Sequence, residues 1–211
     1  MRREFVHFET RQDRPRFIGR RFAPYLGGRV LDVGCDRAVL REVVGPSRYV
    51  GVDVSEEADV HLDLDRTERL PFEDRAFDSV VSLDCLEHLD GLHRMFDECV
   101  RLSRRFVVVS LPNNWSGARK RLRRGHGSFL HYGLPVEPPL DRHKWFFNTE
   151  EASAFLDGQA KRHGLEIREL VALEKPRPVW NRAWRLLQHP SRRAYLNLYP
   201  HTLVCVYEKR P

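Results

Sequence analysis

Long apolar runs are missing from this chain. No stretch approaches the ~20 residues that a membrane-crossing helix requires. The amino-terminal Met1-Arg2-Arg3-Glu4-Phe5 lacks the apolar segment of a signal peptide. Cysteine is sparse: Cys35, Cys85, Cys99 and Cys205 are scattered, with no Cys-x-x-Cys pair. That excludes a disulfide framework and argues against a zinc site. Reduced core thiols and a cytoplasmic location are expected. Repeats and low-complexity segments are absent as well. What remains is a globular composition, 41% hydrophobic and 31% charged over 211 residues, enough for one domain with a full core.

Acids are scarce outside one region. Residues 30–111 carry 10 Lys and Arg against 18 Asp and Glu, a balance of −8; the rest carries 26 against 12, a balance of +14. An acidic centre with basic flanks suits an anionic small-molecule acceptor, a membrane surface or a nucleic acid, or simply a solvated surface.

Residues 12–27 read as an amphipathic helix ending at Gly27-Gly28. Short Val- and Leu-rich strands are expected at 29–33, 48–53, 59–63, 77–83 and 105–111, with helices at 37–44 and 90–103. Only Ser55-Glu56-Glu57-Ala58 separate the second strand from the third. After Leu111-Pro112 the pattern breaks over 112–147, where a basic run (Arg119 to Arg124) and the aromatics Trp115, Phe129, Tyr132, Trp145, Phe146 and Phe147 lie. So long a loop is usually functional or disordered, and the aromatics argue against disorder. Asn148-Thr149-Glu150-Glu151 opens a helix to about 163, strands follow at 165–173 and 202–207, and a basic insertion at 174–199 carries a short helix with Trp180, Trp184 and Leu187. The expectation is a single α/β domain over 1–211: a doubly wound, mostly parallel seven-stranded sheet, a substrate cap at 112–147 and a helical insertion at 174–199.

One segment of this layout has chemistry written in it. Val30-Leu31-Asp32-Val33-Gly34-Cys35 is a strand running into a glycine turn, and Gly51-Val52-Asp53-Val54-Ser55 is a neighbouring strand ending in an acid. In open parallel sheets such a pair of strand ends receives a nucleoside-bearing cofactor. Asp63-Leu64, Leu70-Pro71-Phe72-Glu73-Asp74-Arg75-Ala76-Phe77-Asp78 and Ser82-Leu83-Asp84-Cys85-Leu86-Glu87-His88-Leu89 follow in order. Together these pieces resemble the class I S-adenosylmethionine-dependent methyltransferases, over residues 28–111 and in the order of elements to 211. The resemblance implies a cofactor site of Asp32, Gly34, Cys35, Asp53, Val54, Asp63, Leu64 and Leu83. In it Asp53 would bind the ribose hydroxyls, Asp63 the adenine amino group, and Asp32 the loop and the cofactor's ammonium. The family's Gly-x-Gly-x-Gly is here Gly34-Cys35-Asp36-Arg37-Ala38. A cofactor without a pyrophosphate needs a bare phosphate cradle less, so the loss argues against a dinucleotide.

Methyl transfer to a hydroxyl needs alignment and a proton acceptor. His143, in Asp141-Arg142-His143-Lys144-Trp145, is the first choice for that acceptor and His88 the second; His126 and His131 rank lower. Asp84, Glu87, Trp115, His126, Tyr132, Asp141 and Trp145 are the expected substrate contacts. Asp84, Glu87, Asp141 and His143 could gather magnesium, although no spacing demands it. The Trp, Phe, His and Arg content of the cap suits a saccharide or glycoconjugate, and the layout is loosely similar to small bacterial sugar and polysaccharide O-methyltransferases. Basic flanks also permit a nucleic-acid methyltransferase, but no Asn-Pro-Pro-Tyr-like motif, catalytic-cysteine motif or RNA-binding module supports it. A non-catalytic cofactor-binding protein of the same fold is the third reading. Trp180 and Trp184 are candidates for a homodimer interface.

Overall fold

The structure, a computed structural model, describes residues 1–129, 131–139 and 141–210. Eight strands form one sheet: β1 (Arg2–Phe5), β2 (Val30–Val33), β3 (Tyr49–Asp53), β4 (Val60–His61), β5 (Phe77–Leu83), β6 (Ser103–Pro112), β7 (Leu165–Glu174) and β8 (Thr202–Lys209). Their spatial order is β1-β7-β8-β6-β5-β2-β3-β4. Pairing is parallel except where β8 runs antiparallel between β6 and β7. β2 is buried along its whole length, and β5 and β6 nearly so, because helices cover both faces.

The helices are α1 (Asp13–Arg21), α2 (Arg41–Val44), α3 (Leu92–Leu102), α4 (Asn114–Arg124), α5 (Thr149–His163), α6 (Val179–Gln188) and α7 (Arg192–Leu198). On α3, Leu92, Met95, Phe96, Cys99 and Val100 recur at helical spacing and are buried against one face of the sheet with α5. The opposite face is closed by Ile18 and Phe22 of the amino-terminal helical segment and by Val44 of α2. The Asn148 side chain accepts from the Glu150 and Glu151 amides, Glu151 reaches back to the Asn148 amide, and Gly164 ends α5 in the left-handed region. All four cysteines are free and buried. No described helix is long and apolar enough to cross a membrane.

All seven expected strands are present, and β1 is an eighth. It pairs parallel with β7, Arg2 opposite Val171 through Phe5 opposite Glu174. Four mostly exposed residues, three of them charged, have no alternating pattern to read; such charges suit a sheet edge. The expected helix at 37–44 shrinks to Arg41–Val44, since the turn before it takes up the first residues. Within 112–147 the chain is not all loop, because its basic run lies on α4. The 174–199 stretch holds two helices, α6 and α7, where one was expected.

From β2 the chain steps outward to β3 and β4, then returns to β5 on the other flank of β2. The strand order therefore reverses beside β2, opening a crevice at the carboxyl ends of these strands.

Candidate active site

A cavity of about 460 Å³ occupies that crevice. Its floor is the turn after β2. Gly34 sits at φ 79°, its amide donates to the Val52 carbonyl at 2.9 Å, and a β-carbon there would overlap the Cys85 side chain. Asp36 and Ala38 hold φ 47° and 50°, so the left-handed backbone survives where the glycines do not.

Asp53 closes β3. Its carboxylate accepts from the amides of Asp36 (2.9 Å), Val54 (2.6 Å) and Ser55 (3.1 Å), tying the two strand ends together. Asp32 is buried and accepts from the Tyr49 hydroxyl at 2.8 Å. Burial pushes its carboxyl up to about 7, with the Asp53 charge adding to the rise and the Tyr49 bond opposing it. Asp63, Leu64 and Leu83 form further walls. Every residue expected in the cofactor set, Asp32, Gly34, Cys35, Asp53, Val54, Asp63, Leu64 and Leu83, lines this one cavity.

A second group of side chains stands where the 3₁₀ turn Leu86–His88 follows β5. His88 lines the cavity, and its Nδ1 lies 2.8 Å from an Asp141 carboxylate oxygen. Burial lowers the His88 pKa and Asp141 opposes that shift. Glu87 is buried with both oxygens unpartnered, and burial pushes its carboxyl up to about 8. The cap meets this turn through its backbone and side chains: the Lys144 amide donates to the Glu87 carbonyl at 2.8 Å, and the Trp145 indole to Leu89 at 2.8 Å.

His143 does not line the cavity. It packs behind His88, ring centroids 4.4 Å apart, and stacks on His131 at 4.3 Å. Its Nδ1 lies 2.9 Å from the Tyr132 hydroxyl and 3.2 Å from the Asn114 amide nitrogen. Burial, with His88 and His131 adding to it, pushes its pKa down to about 3, so it is neutral and weakly basic at neutral pH. His88, the second choice, lines the cavity, and His143, the first choice, does not.

Asp84 and Asp141 line the cavity. Asp84 is engaged by Arg14 and by the Ser110 hydroxyl at 2.7 Å. With Asp84 and Asp141 so engaged, the hard-oxygen set expected for magnesium is not the one drawn together; Glu87, His88 and His143 are, each offering one ligand atom within 4.8 Å of the others. Tyr132 reaches the group only through His143 and the Trp145 carbonyl. Trp145 instead lines a smaller groove of about 160 Å³ with Phe147 and Phe155. Trp115 and His126 are exposed and line neither space.

Sequence reasoning missed the amino-terminal wall. Arg11, Gln12, Arg14 and Pro15 line the cavity, with Arg11 3.6 Å from Asp36 and 3.8 Å from Asp141. The amphipathic pattern around them marked a helix, but no local signal pairs Arg14 with Asp84, seventy residues on.

A family model described as a methyltransferase domain matches residues 7–170. The chain belongs to the class I S-adenosylmethionine-dependent methyltransferases. Solved structures agree on the fold. A SAM-dependent methyltransferase from Archaeoglobus fulgidus is 19% identical with a TM-score of 0.58, covering 95% of each chain. One from Mesorhizobium loti is 16% identical with a TM-score of 0.56, covering 91% of this methyltransferase and 96% of its own chain. The magnesium protoporphyrin IX methyltransferase of Synechocystis PCC 6803, solved with bound SAH, is 16% identical with a TM-score of 0.56, covering 94% and 83%. No curated protein matches in sequence.

Proposed function

We propose that this methyltransferase moves the methyl group of S-adenosylmethionine to a hydroxyl oxygen, releasing S-adenosylhomocysteine, and that a saccharide or glycoconjugate is the acceptor. The crevice has the volume and donor set such a cofactor needs. The Gly34 turn admits it closely, Asp53 keeps lone pairs for ribose hydroxyls, and buried Asp32 suits an ammonium. Asp63 and Leu64, in the same lining, suit the adenine amino group and ring. The bound cofactor supplies an electrophilic methyl group on a sulfonium; the protein's residues align the acceptor and exclude water.

The observation that carries hydroxyl chemistry is the His88–Asp141 pair. His88 is the one imidazole lining the cavity among the described residues, and Asp141 on Nδ1 leaves Nε2 to take a proton as the new bond forms. Arg11 lines the same wall with an exposed side chain, which suits an acceptor carrying negative charge. Replacing His88 by Ala is expected to leave S-adenosylhomocysteine affinity unchanged while cutting turnover by roughly 10²- to 10⁴-fold; unchanged turnover sinks the assignment. Methyl transfer should be screened against oligosaccharides, phenols and RNA. Transfer confined to RNA would reject the saccharide reading, and absence of cofactor binding would leave only a non-catalytic role.

A specific observation also favours a divalent ion. One carboxylate and two imidazoles, Glu87, His88 and His143, suit manganese, iron, cobalt or zinc better than magnesium. The Asp141 contact on His88 and the Tyr132 contact on His143 are the kind of partner that orients a ligating imidazole. Of these three only His88 lines the cavity, so an ion held there would sit at the back of its wall, and His88 would then hold metal rather than take the proton. Titrating chelator-treated protein with Mn²⁺ decides: binding abolished by Glu87→Gln supports the ion, and no binding with chelator-indifferent turnover leaves His88 as the base.

A further inference from the structure

Helix α6 is mounted with its polar side inward. Arg185 donates to Glu174 at 2.7 Å and lies 4.3 Å over the Tyr199 ring, while Arg182 lies 4.4 Å over Phe5. At about 100° per residue the opposite face carries Val179, Trp180, Ala183, Trp184 and Leu187. Val179, Trp180, Trp184 and Leu187 are 79%, 71%, 59% and 74% exposed, and no residue of the helix is buried. A soluble helix normally turns such a stripe to the core. None of these residues lines the catalytic cavity.

Beside the stripe lies a field of cations. The basic run on α4 exposes Lys120, Arg121, Arg123 and Arg124, together with Leu122 at 68%. Arg119 of α4 and Arg185 of α6 lie 4.3 Å over the same Tyr199 ring, so the two helices are neighbours, and Arg177 stands just before α6. Among the described residues, none of Arg119, Lys120, Arg121, Arg123, Arg124, Arg177 and Arg182 is in an ion pair, whereas the nearby Arg185 and Arg193 are. The α4 carboxyl terminus accounts for arginines in its last turn, but not for Arg119, Lys120 or Arg177.

We infer that α6 and α4 together seat this protein on an anionic lipid surface. The tryptophans and leucines enter the acyl boundary, and the cations meet the head groups. Charge complementarity selects this occupant. A second copy would bring the same cations against themselves. A nucleic acid would satisfy the cations but has no use for Val179, Leu122 and Leu187, which call for hydrocarbon. The inference is independent of the acceptor assigned above.

Flotation of the full chain with vesicles tests it, using phosphatidylcholine alone and with about one third phosphatidylglycerol. Binding is expected only to the anionic vesicles, weakening with salt, and accompanied by a blue shift of tryptophan emission. Trp180→Ser with Trp184→Ser, both solvent-exposed, should weaken binding about ten-fold or more and remove the shift. Lys120→Glu with Arg177→Glu should weaken it without removing the shift of the residual bound fraction. Cofactor affinity should stay at the wild-type value in both. No binding to anionic vesicles at low salt overturns the inference. So does a dimer in light scattering that Trp180→Ser dissociates, or RNA binding that outcompetes the vesicles.

Discussion

The two halves of the active site are built differently. The half proposed for the cofactor is made by backbone: a left-handed turn after β2, amides gathered on Asp53, and strand ends in register, Asp32 opposite Gly51. The half proposed for the acceptor is made by side chains brought together from separate parts of the chain: His88 with Asp141, His143 with Tyr132 and Asn114, Asp84 with Arg14. A backbone-made site is fixed by the sheet and tolerates few changes. A side-chain-made site can be rebuilt for another acceptor without disturbing the fold, consistent with a shared fold among solved methyltransferases under 20% identical to this chain.

The hardest blow to the backbone half falls at Gly34. Gly34→Val places a β-carbon into Cys85 at a positive φ, and should cost about 3–5 kcal/mol, with cofactor binding lost. Gly164→Val, in the left-handed region at φ 63° with open space around it, should cost only about 1–2 kcal/mol. Equal losses in denaturant titrations of the two variants would show that the Cys85 contact does not matter.

Asp53→Asn comes next. The asparagine oxygen keeps one acceptor for the surrounding amides but weakens the bonds proposed to the ribose, so S-adenosylhomocysteine affinity should fall roughly 10- to 100-fold with the fold intact. Calorimetry reads this directly. The matching change in the acceptor half, Tyr132→Phe, should leave that affinity alone; a drop there would mean the halves are coupled.

These contrasts explain what could be read from sequence. Strands buried on both faces, such as β2 and β5, show as Val-rich runs, and the less buried β4 and β7 were legible with them from the alternation of strands and helices. The acids at 53 and 63 sit at fixed offsets from the glycine turn, so their gathering around one cavity was legible too. The left-handed positions at Asp36 and Ala38 carry no glycine to announce them, and β1 is too short and charged to show a pattern. In the half proposed for the acceptor, local sequence context nominated His143, but only the packing reveals that His88 lines the cavity and His143 does not. Arg14 was invisible because its partner, Asp84, lies seventy residues away in sequence.

Asp32 gives a pH-dependent contrast of smaller size. Its carboxyl is protonated below about 7 in the free protein, whereas an ammonium beside it favours the carboxylate. Cofactor binding below pH 7 should therefore release a proton, and affinity should climb by up to about ten-fold per pH unit as pH approaches 7, then flatten. Stability runs the other way. The folded state holds this proton more tightly than the unfolded chain, so the Asp32 contribution is full below 3.8 and is lost as pH rises to about 7. Calorimetry in two buffers of different ionisation enthalpy counts the proton; Asp32→Asn should abolish its release.

The smallest effect expected is at Asp36, and it isolates what the missing glycines do. The Asp36 amide donates to Asp53 and its carbonyl accepts from the Ser55 hydroxyl, while its own carboxylate is half-exposed, 3.6 Å from Arg11. Only the backbone of this residue is thus built into the cofactor half. Asp36→Gly relieves a φ of 47° but frees the unfolded chain, two terms of about 1 kcal/mol with opposite sign. Stability should change by less than about 1 kcal/mol, and cofactor affinity should not change, because both backbone hydrogen bonds persist. A marked gain in affinity would mean that the aspartate side chain, through Arg11, holds the crevice partly shut, and the line between the backbone-made and side-chain-made halves would have to be redrawn through this turn.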